Sequence, residues 1–266
     1  MRLFVSRSPS PAAPTAPPSG ARRWVLALCL AAAGALLLPV PAAAEGFTAE
    51  QRQEIEGIIK DFLAKNPEAL LDALQAAEDK VKSEAHDKAA SALVARRAEV
   101  LDDPDTPVGG NPQGDVSLVE FFDYRCPYCK QVEPALEALL RDDRQLRFVY
   151  KEFPVLGPDS VTAARAALAA RKQGKYDALH RALMALKGQI TEAAILRTAS
   201  ASGLDVERLK RDMDDPAIDR ILKANLDLAD ALDIRGTPGF VIGDEIVPGA
   251  VSLDALKQLI ETARKK

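Results

Sequence analysis

The sequence predicts an α/β fold: a small sheet with flanking helices, an all-helical insertion, and a helical arm ahead of both. Three observations predict it. Apolar runs rich in β-formers are few and short, at Val116–Phe122, Leu146–Phe153, Phe240–Ile242 and Ile246–Val247. The stretch between the second and third, about 160–232, is punctuated as helices throughout. Helical periodicity also fills residues 48–100. The order strand, helix, strand, helical block, hairpin, helix is an α/β order. At 266 residues the chain has room for one large domain or two modest ones. A content of 47% hydrophobic and 28% charged residues excludes disordered and fibrous classes. A net charge of −4 argues against a nucleic-acid partner. Three cysteines are too few for a disulfide-stapled scaffold.

Residues 1–44 read as a secretory signal peptide rather than as fold. Arg2, Arg7, Arg22 and Arg23 precede an apolar run from Trp24 to Leu38, and Ala42-Ala43-Ala44 offers a cleavage site. The alternative is an uncleaved anchor, but the run is short beside the ~20 apolar residues of a bilayer span. Cleavage removes four arginines and Cys29. The remainder is more acidic and keeps two cysteines, both in one motif, and export would take it to an oxidising compartment.

The arm occupies residues 45–100. Thr48-Ala49-Glu50-Gln51 is a capping box. Ile55, Ile58, Ile59, Phe62 and Leu63 follow at helical spacing. Asn66-Pro67 restarts a helix, and Leu70, Leu74, Ala77, Val81 and Ala85 continue the stripe. Such a stripe must be buried, either on its own domain or against copies of itself. Self-association is the expectation, because a complete domain follows. His86 falls in the charged part of the arm and is expected to be solvated.

Residues 101–266 form the domain. Asp102 to Gly114 reads as linker and turn. Strand Val116–Phe122 leads into a helix running from Cys126 to about Arg141, and Leu146–Phe153 is the second strand. In the helical block, Ser160, Thr191, Asp205 and Asp215-Pro216 are expected starts. Gly174, Gly188 and Gly203 sit where helices end. Gly243-Asp244-Glu245 closes the hairpin, and Ser252 opens the last helix, to about Ala263.

Cys126-Pro127-Tyr128-Cys129 carries the chemistry. The strand delivers Cys126 to a helix start, where free N–H groups and the helix dipole favour a thiolate. Cys126 is expected to be the exposed nucleophile and Cys129, one turn inward, the resolving thiol. Half a zinc site is the bland alternative, but only His86 and His180 remain as soft ligands, without ligand spacing. An inert structural disulfide is another. The reduced pair is also a candidate Cu(I) ligand pair. His180 is expected to be a surface or satisfied core residue with no chemistry. No cofactor is expected.

Arg235-Gly236-Thr237-Pro238-Gly239-Phe240 places a proline directly before a strand, so Pro238 is a candidate cis-proline. Together with Phe121-Phe122-Asp123-Tyr124-Arg125-Cys126-Pro127-Tyr128-Cys129 and the helical block, this segment resembles the DsbA-like branch of the thioredoxin superfamily over about residues 105–266. The resemblance implies a thioredoxin fold with an inserted helical subdomain. It implies that Pro238 is cis and that Thr237 contacts substrate. It also makes Glu120 the buried acid that moves a proton to or from the inner thiol; the alternative is an ordinary edge glutamate. Lys151, on the second strand, is a candidate partner for it. Pro127 and Tyr128 tune the pair. Tyr128 stands where DsbA-type oxidases carry a histidine, which implies a less oxidising couple.

Phe47–Gln51, Ile55–Leu63 and Lys65–Glu68 are similar to the N-terminal region of ScsC-type (suppressor of copper sensitivity) proteins. That resemblance implies a periplasmic homo-oligomer, with the trimer as one form, acting as a disulfide isomerase or reductase on client proteins with cysteines. A membrane redox partner, either a DsbD/ScsB-like reductase or a DsbB-like oxidase, would set its state. The alternatives are a DsbA-like oxidase and a Cu(I)-binding copper-tolerance protein.

Overall fold

The computed structural model describes residues 46–265. The expected signal peptide, 1–44, lies outside them.

Helix α1 (Ala49–Lys65) starts at the capping box. The Thr48 amide donates to Gln51 Oε1 at 2.9 Å, and the Gln51 amide donates to Thr48 Oγ1 at 3.2 Å. No α1 residue is buried, and Ile58, Ile59 and Phe62 are more than half exposed. Within the second compact unit, which begins at Leu63, helix α2 (Pro67–Ala95) leaves Leu70, Leu71, Leu74 and Val81 exposed. Farther along, Ala89 and Leu93 are buried, as is Val100 of the short helix α3 (Arg97–Leu101). Core side chains therefore begin inside the segment that the sequence reading assigned to the arm.

The sheet has five strands in the order β1-β3-β2-β4-β5. These are β1 (Val108–Gly110), β2 (Val116–Phe122), β3 (Leu146–Glu152), β4 (Gly239–Ile242) and β5 (Glu245–Pro248). β2 and β3 run parallel, joined by the crossover helix α4 (Pro127–Asp142), and the other neighbours pair antiparallel. The sequence reading took 102–114 as linker and missed β1. That strand is three residues long with two glycines, so it has no alternation to read, and pairing with β3 creates it.

The inner strands β2 and β3 are buried on both faces, and apolar residues from both faces of each enter the two cores. Leu118, Glu120 and Phe122 face α4 and the helical block. Val119 and Phe121 face a second core with Leu93, Val100, Val149 and Phe153. This alternation corrects one expectation. Glu120 is level with Tyr150, while Lys151 is level with Phe121 and projects from the opposite face. Lys151 Nζ instead donates to Glu99 O at 2.8 Å and to Thr106 Oγ1 at 2.7 Å, with Asp103 Oδ2 at 3.5 Å.

The insertion comprises α5 (Pro158–Ala170), a 3-10 turn at Arg171–Gln173, α6 (Tyr176–Ala185), α7 (Glu192–Ala201), α8 (Val206–Met213) and α9 (Pro216–Ala231). Thr191, Asp205 and Asp215 each accept an amide hydrogen bond as N-caps. α5 starts at Pro158 rather than Ser160, because Pro at the first helical position precedes it in the chain. Ser252 caps the last helix, α10 (Leu253–Arg264). One hydrophobic cluster runs from β2 and α4 through α5 to α9 and on to α10, so the insertion and sheet share a core.

Candidate active site

β2 ends at Phe122, and a three-residue turn carries the chain into α4. Asp123 builds that turn. Its Oδ1 accepts from the Arg125 amide at 2.7 Å and from Ser160 Oγ at 2.8 Å, and its Oδ2 accepts from the Leu156 amide at 2.9 Å. Cys126 is the N-cap of α4, and Pro127 holds its first position.

Cys126 was expected to be exposed. It is only 3% exposed, because the chain around Thr237 lies over it and Cys126 Sγ is 3.2 Å from Thr237 O. Cys129 is fully buried beneath. Both are free thiols, and between them Tyr128 is 60% exposed. A hydrogen bond from the Cys129 thiol draws the Cys126 pKa from 9.0 to about 5. Bonds from the Thr237 side chain and the Cys129 and Tyr128 amides assist, against a smaller burial cost. The same shared hydrogen bond, then burial and the negative Glu120, pushes Cys129 up. The pair is thus divided into a nucleophile that is ionised at neutral pH and a thiol that keeps its proton.

The Thr237–Pro238 peptide is cis. Gly239 follows it, and a Cβ there would lie 2.6 Å from Ile234 Cγ2, so only glycine lets the two segments approach. A cavity of about 610 Å³ opens beside Thr237 and Pro238, lined also by Ala85, His86, Ile234 and Pro248. His86 is exposed there.

Glu120 lies on β2 in the interior, level with Phe240 of β4 and Tyr150 of β3. Neither carboxyl oxygen has a hydrogen-bond partner. Burial raises its pKa well above the usual carboxylate range, and the negative charges of Glu133, Cys126 and Glu152 add to this. Among the described residues no group of three or more His, Cys, Asp or Glu is arranged to hold a metal ion.

With this geometry, the match of residues 117–261 to the DSBA-like thioredoxin domain decides the family. The chain belongs to the DsbA-like thioredoxin family. A solved thioredoxin-like oxidoreductase from Silicibacter pomeroyi is 47% identical, covers 64% of this chain and 98% of its own, and superposes with a TM-score of 0.63. ScsC of Proteus mirabilis, in a transitional conformation, is 31% identical, covers 83% of this chain and 98% of its own, and gives a TM-score of 0.62. The Na(+)/H(+) antiporter NhaA 3 of Salinispora tropica is 32% identical over 182 residues, 65% of this chain. The chain spans only 28% and 25% of the first two antiporters it matches. No helix among the described residues is long and apolar enough to cross a membrane. The match places the chain in a family of thiol–disulfide oxidoreductases with a thioredoxin-like fold.

Several residues near the site escaped sequence reasoning. Tyr124 and Glu152 are both 1% exposed, and Tyr124 Oη donates to Glu152 Oε1 at 2.9 Å. Tyr176 Oη donates to the same oxygen at 2.8 Å, and Asn225 Nδ2 donates to the Glu152 carbonyl at 3.0 Å. His180 is buried, and its Nδ1 lies 3.1 Å from Tyr124 Oη. The one available signal was a glutamate at the end of a strand, between Tyr150 and Phe153.

Proposed function

We propose that the protein is an exported, oligomeric disulfide isomerase or reductase that acts on client proteins with cysteines. The observation carrying this reading is the division of the dithiol: a recessed Cys126 at about 5 and a buried Cys129 pushed up. In this reading the Cys126 thiolate attacks one sulfur of a client disulfide. The Cys126–client S–S bond forms, the client bond breaks, and the client's second sulfur leaves as a thiolate that takes a proton from water. The mixed disulfide then has two fates. A client thiolate attacks the client sulfur and expels Cys126, which isomerises the client. Otherwise Cys129 attacks Cys126 Sγ, giving the protein disulfide and a reduced client.

Glu120 in its carboxylate form is the nearby base for the Cys129 proton. Thr237 and Pro238 would align the client chain, with its apolar side chains in the adjoining cavity. Pro127 and Tyr128 would tune the thiolate and meet the client. A membrane reductase would return the pair to the dithiol. The leader-like sequence of residues 1–44 and the likeness to a periplasmic thioredoxin-like protein of Salmonella enterica support a periplasmic location. The exposed stripe of α1 and α2 supports self-association, a trimer among the options, since two or more dithiols could hold one client.

Refolding of scrambled ribonuclease tests the reading. Activity is expected from the wild type and none from Cys126→Ser. Failure on scrambled substrate together with rapid oxidation of a reduced one would make the protein an oxidase. Tight Cu(I) binding without exchange would make it a copper-binding protein.

A further inference from the structure

A second set of titratable side chains is buried on the α4 face of the sheet, and the exchange chemistry above does not use it. Its members stand in line. Glu133, on α4 one turn beyond Cys129, is 14% exposed and lines an open cavity of about 600 Å³. Its Oε1 lies 3.6 Å from His180 Nε2, a buried nitrogen with no hydrogen-bond partner. His180 Nδ1 is 3.1 Å from Tyr124 Oη, which is 2.9 Å from Glu152 Oε1. Tyr124 has one proton and two acceptors, so a second proton must sit on either Glu152 or His180 Nδ1. The orphaned Nε2 faces the only member of the line that borders the cavity.

We propose that Glu133, His180, Tyr124 and Glu152 form a proton relay between this cavity and the buried Glu152. We further infer that the proton's place on the relay sets the charge facing Glu120 beneath the resolving thiol. The inference rests on the exchange reading above and makes these four positioning residues.

The step balances without a co-reactant. It begins with Glu133 protonated, His180 protonated on Nδ1 and Glu152 ionised. Nε2 takes the proton of Glu133, Nδ1 releases its own to Tyr124 Oη, and Tyr124 passes its own to Glu152 Oε1. Glu133 ends ionised, Glu152 ends protonated, and the histidine ends as the other neutral tautomer. The 3.6 Å gap is longer than a hydrogen bond, so Glu133 must swing inward or hand over through a cavity water.

The groups facing His180 come from each packed element: Glu133 from α4, Tyr124 from the turn after β2, Tyr150 from β3, and Tyr176 from its own helix, with Glu152 reached through Tyr124. Asp177 and Arg181 stand at the cavity wall. Both carboxyl ends of the relay act on Glu120. The charges of Glu133 and Glu152 each strengthen its hold on a proton. Burial lifts Glu152 itself to about 8, within reach of neutral pH.

Two rates read against pH test this. Release of a fluorescent peptide thiol from its mixed disulfide with Cys126 reports attack by Cys129. Alkylation of Cys126 by iodoacetamide reports the nucleophile. Glu152→Gln is expected to move the release midpoint down by about one unit, because a like charge near Glu120 is gone. His180→Gln keeps an acceptor for Tyr124 but cannot pass a proton between two ring nitrogens. It is expected to move the release midpoint by about half a unit or more. If His180→Gln does not fold, Tyr124→Phe takes its place: it cuts the link between His180 and Glu152 while leaving both carboxyls, and a shift of about half a unit or more is expected. Wild-type release midpoints in the folded variants would overturn the relay. So would a shift in Glu152→Gln alone. A wild type that forms no mixed disulfide would overturn the exchange reading instead.

Discussion

Replacing Glu152 with glutamine should remove a large pH dependence of stability. Glu152 is fully buried with no cation beside it, and burial lifts its pKa from 4.5 to about 8 despite two tyrosine donors. A carboxyl whose pKa is higher in the folded chain than in the unfolded chain favours the folded state where both are protonated. That stabilisation is complete below about 4.5 and is lost as the pH climbs through about 8. At about 1.4 kcal/mol per unit, the loss across the window is on the order of 4 to 5 kcal/mol. That is a large share of the roughly 5–15 kcal/mol by which domains are stable. Glutamine is neutral throughout and offers its oxygen to both Tyr124 and Tyr176, so Glu152→Gln should flatten the curve. The two proteins should agree within about 1 kcal/mol in acid, and the variant should be the more stable near pH 8. Urea unfolding under reducing conditions at fixed protein concentration measures this. Far-UV circular dichroism is the suitable probe, since the single tryptophan, Trp24, lies outside the described residues, in the segment expected to be a leader. Parallel stability curves for the two proteins would refute the reasoning.

Alkylation of Cys126 should be half-maximal near pH 5 and level above neutrality, since its thiol lies at about 5; a midpoint near the ordinary 9 would contradict the shared hydrogen bond with Cys129. Asp123→Ala should cost about 2–4 kcal/mol in urea, because it strands the Arg125 and Leu156 amides and Ser160 Oγ. Ile58→Asp with Phe62→Asp should lower the sedimenting mass to one subunit. Each exposed apolar side chain would contribute about 1.5–3 kcal/mol if covered by another copy, and an unchanged oligomer would remove the stripe from the interface.

Much of the architecture was legible because local signals agreed with the fold. The apolar run of β2 ends at Phe122 as the sequence reading has it, and Thr191, Asp205, Asp215 and Ser252 cap the helices that their side chains announce. Cys126, Cys129, Glu120, Thr237 and Pro238 could be singled out because two short motifs and one acid on a strand mark them. What stayed hidden depends on pairing across distance. β1 exists through its ladder with β3. Lys151 lies on the far face because the pleat of β3 puts it there, a matter of register that composition does not encode. Cys126 is recessed by a loop more than a hundred residues away. The line from Glu133 to Glu152 draws on α4, α6, β3 and the turn after β2, and each member alone looks like an ordinary surface or core residue.

The shared core of insertion and sheet bears on attempts to reduce this protein to a minimal scaffold. Tyr176 and His180 sit on α6, inside the insertion, yet they contact Glu152 and Tyr124 of the sheet layer. Cutting out the helical block would therefore strip the roof from a buried acid and remove its donor Tyr176. It would also open the apolar face of β2 and β3 to water. The helices between β3 and β4 cannot be exchanged as a cassette; a transplant of the dithiol into a smaller frame would have to rebuild the acid's surroundings or replace it with a neutral residue.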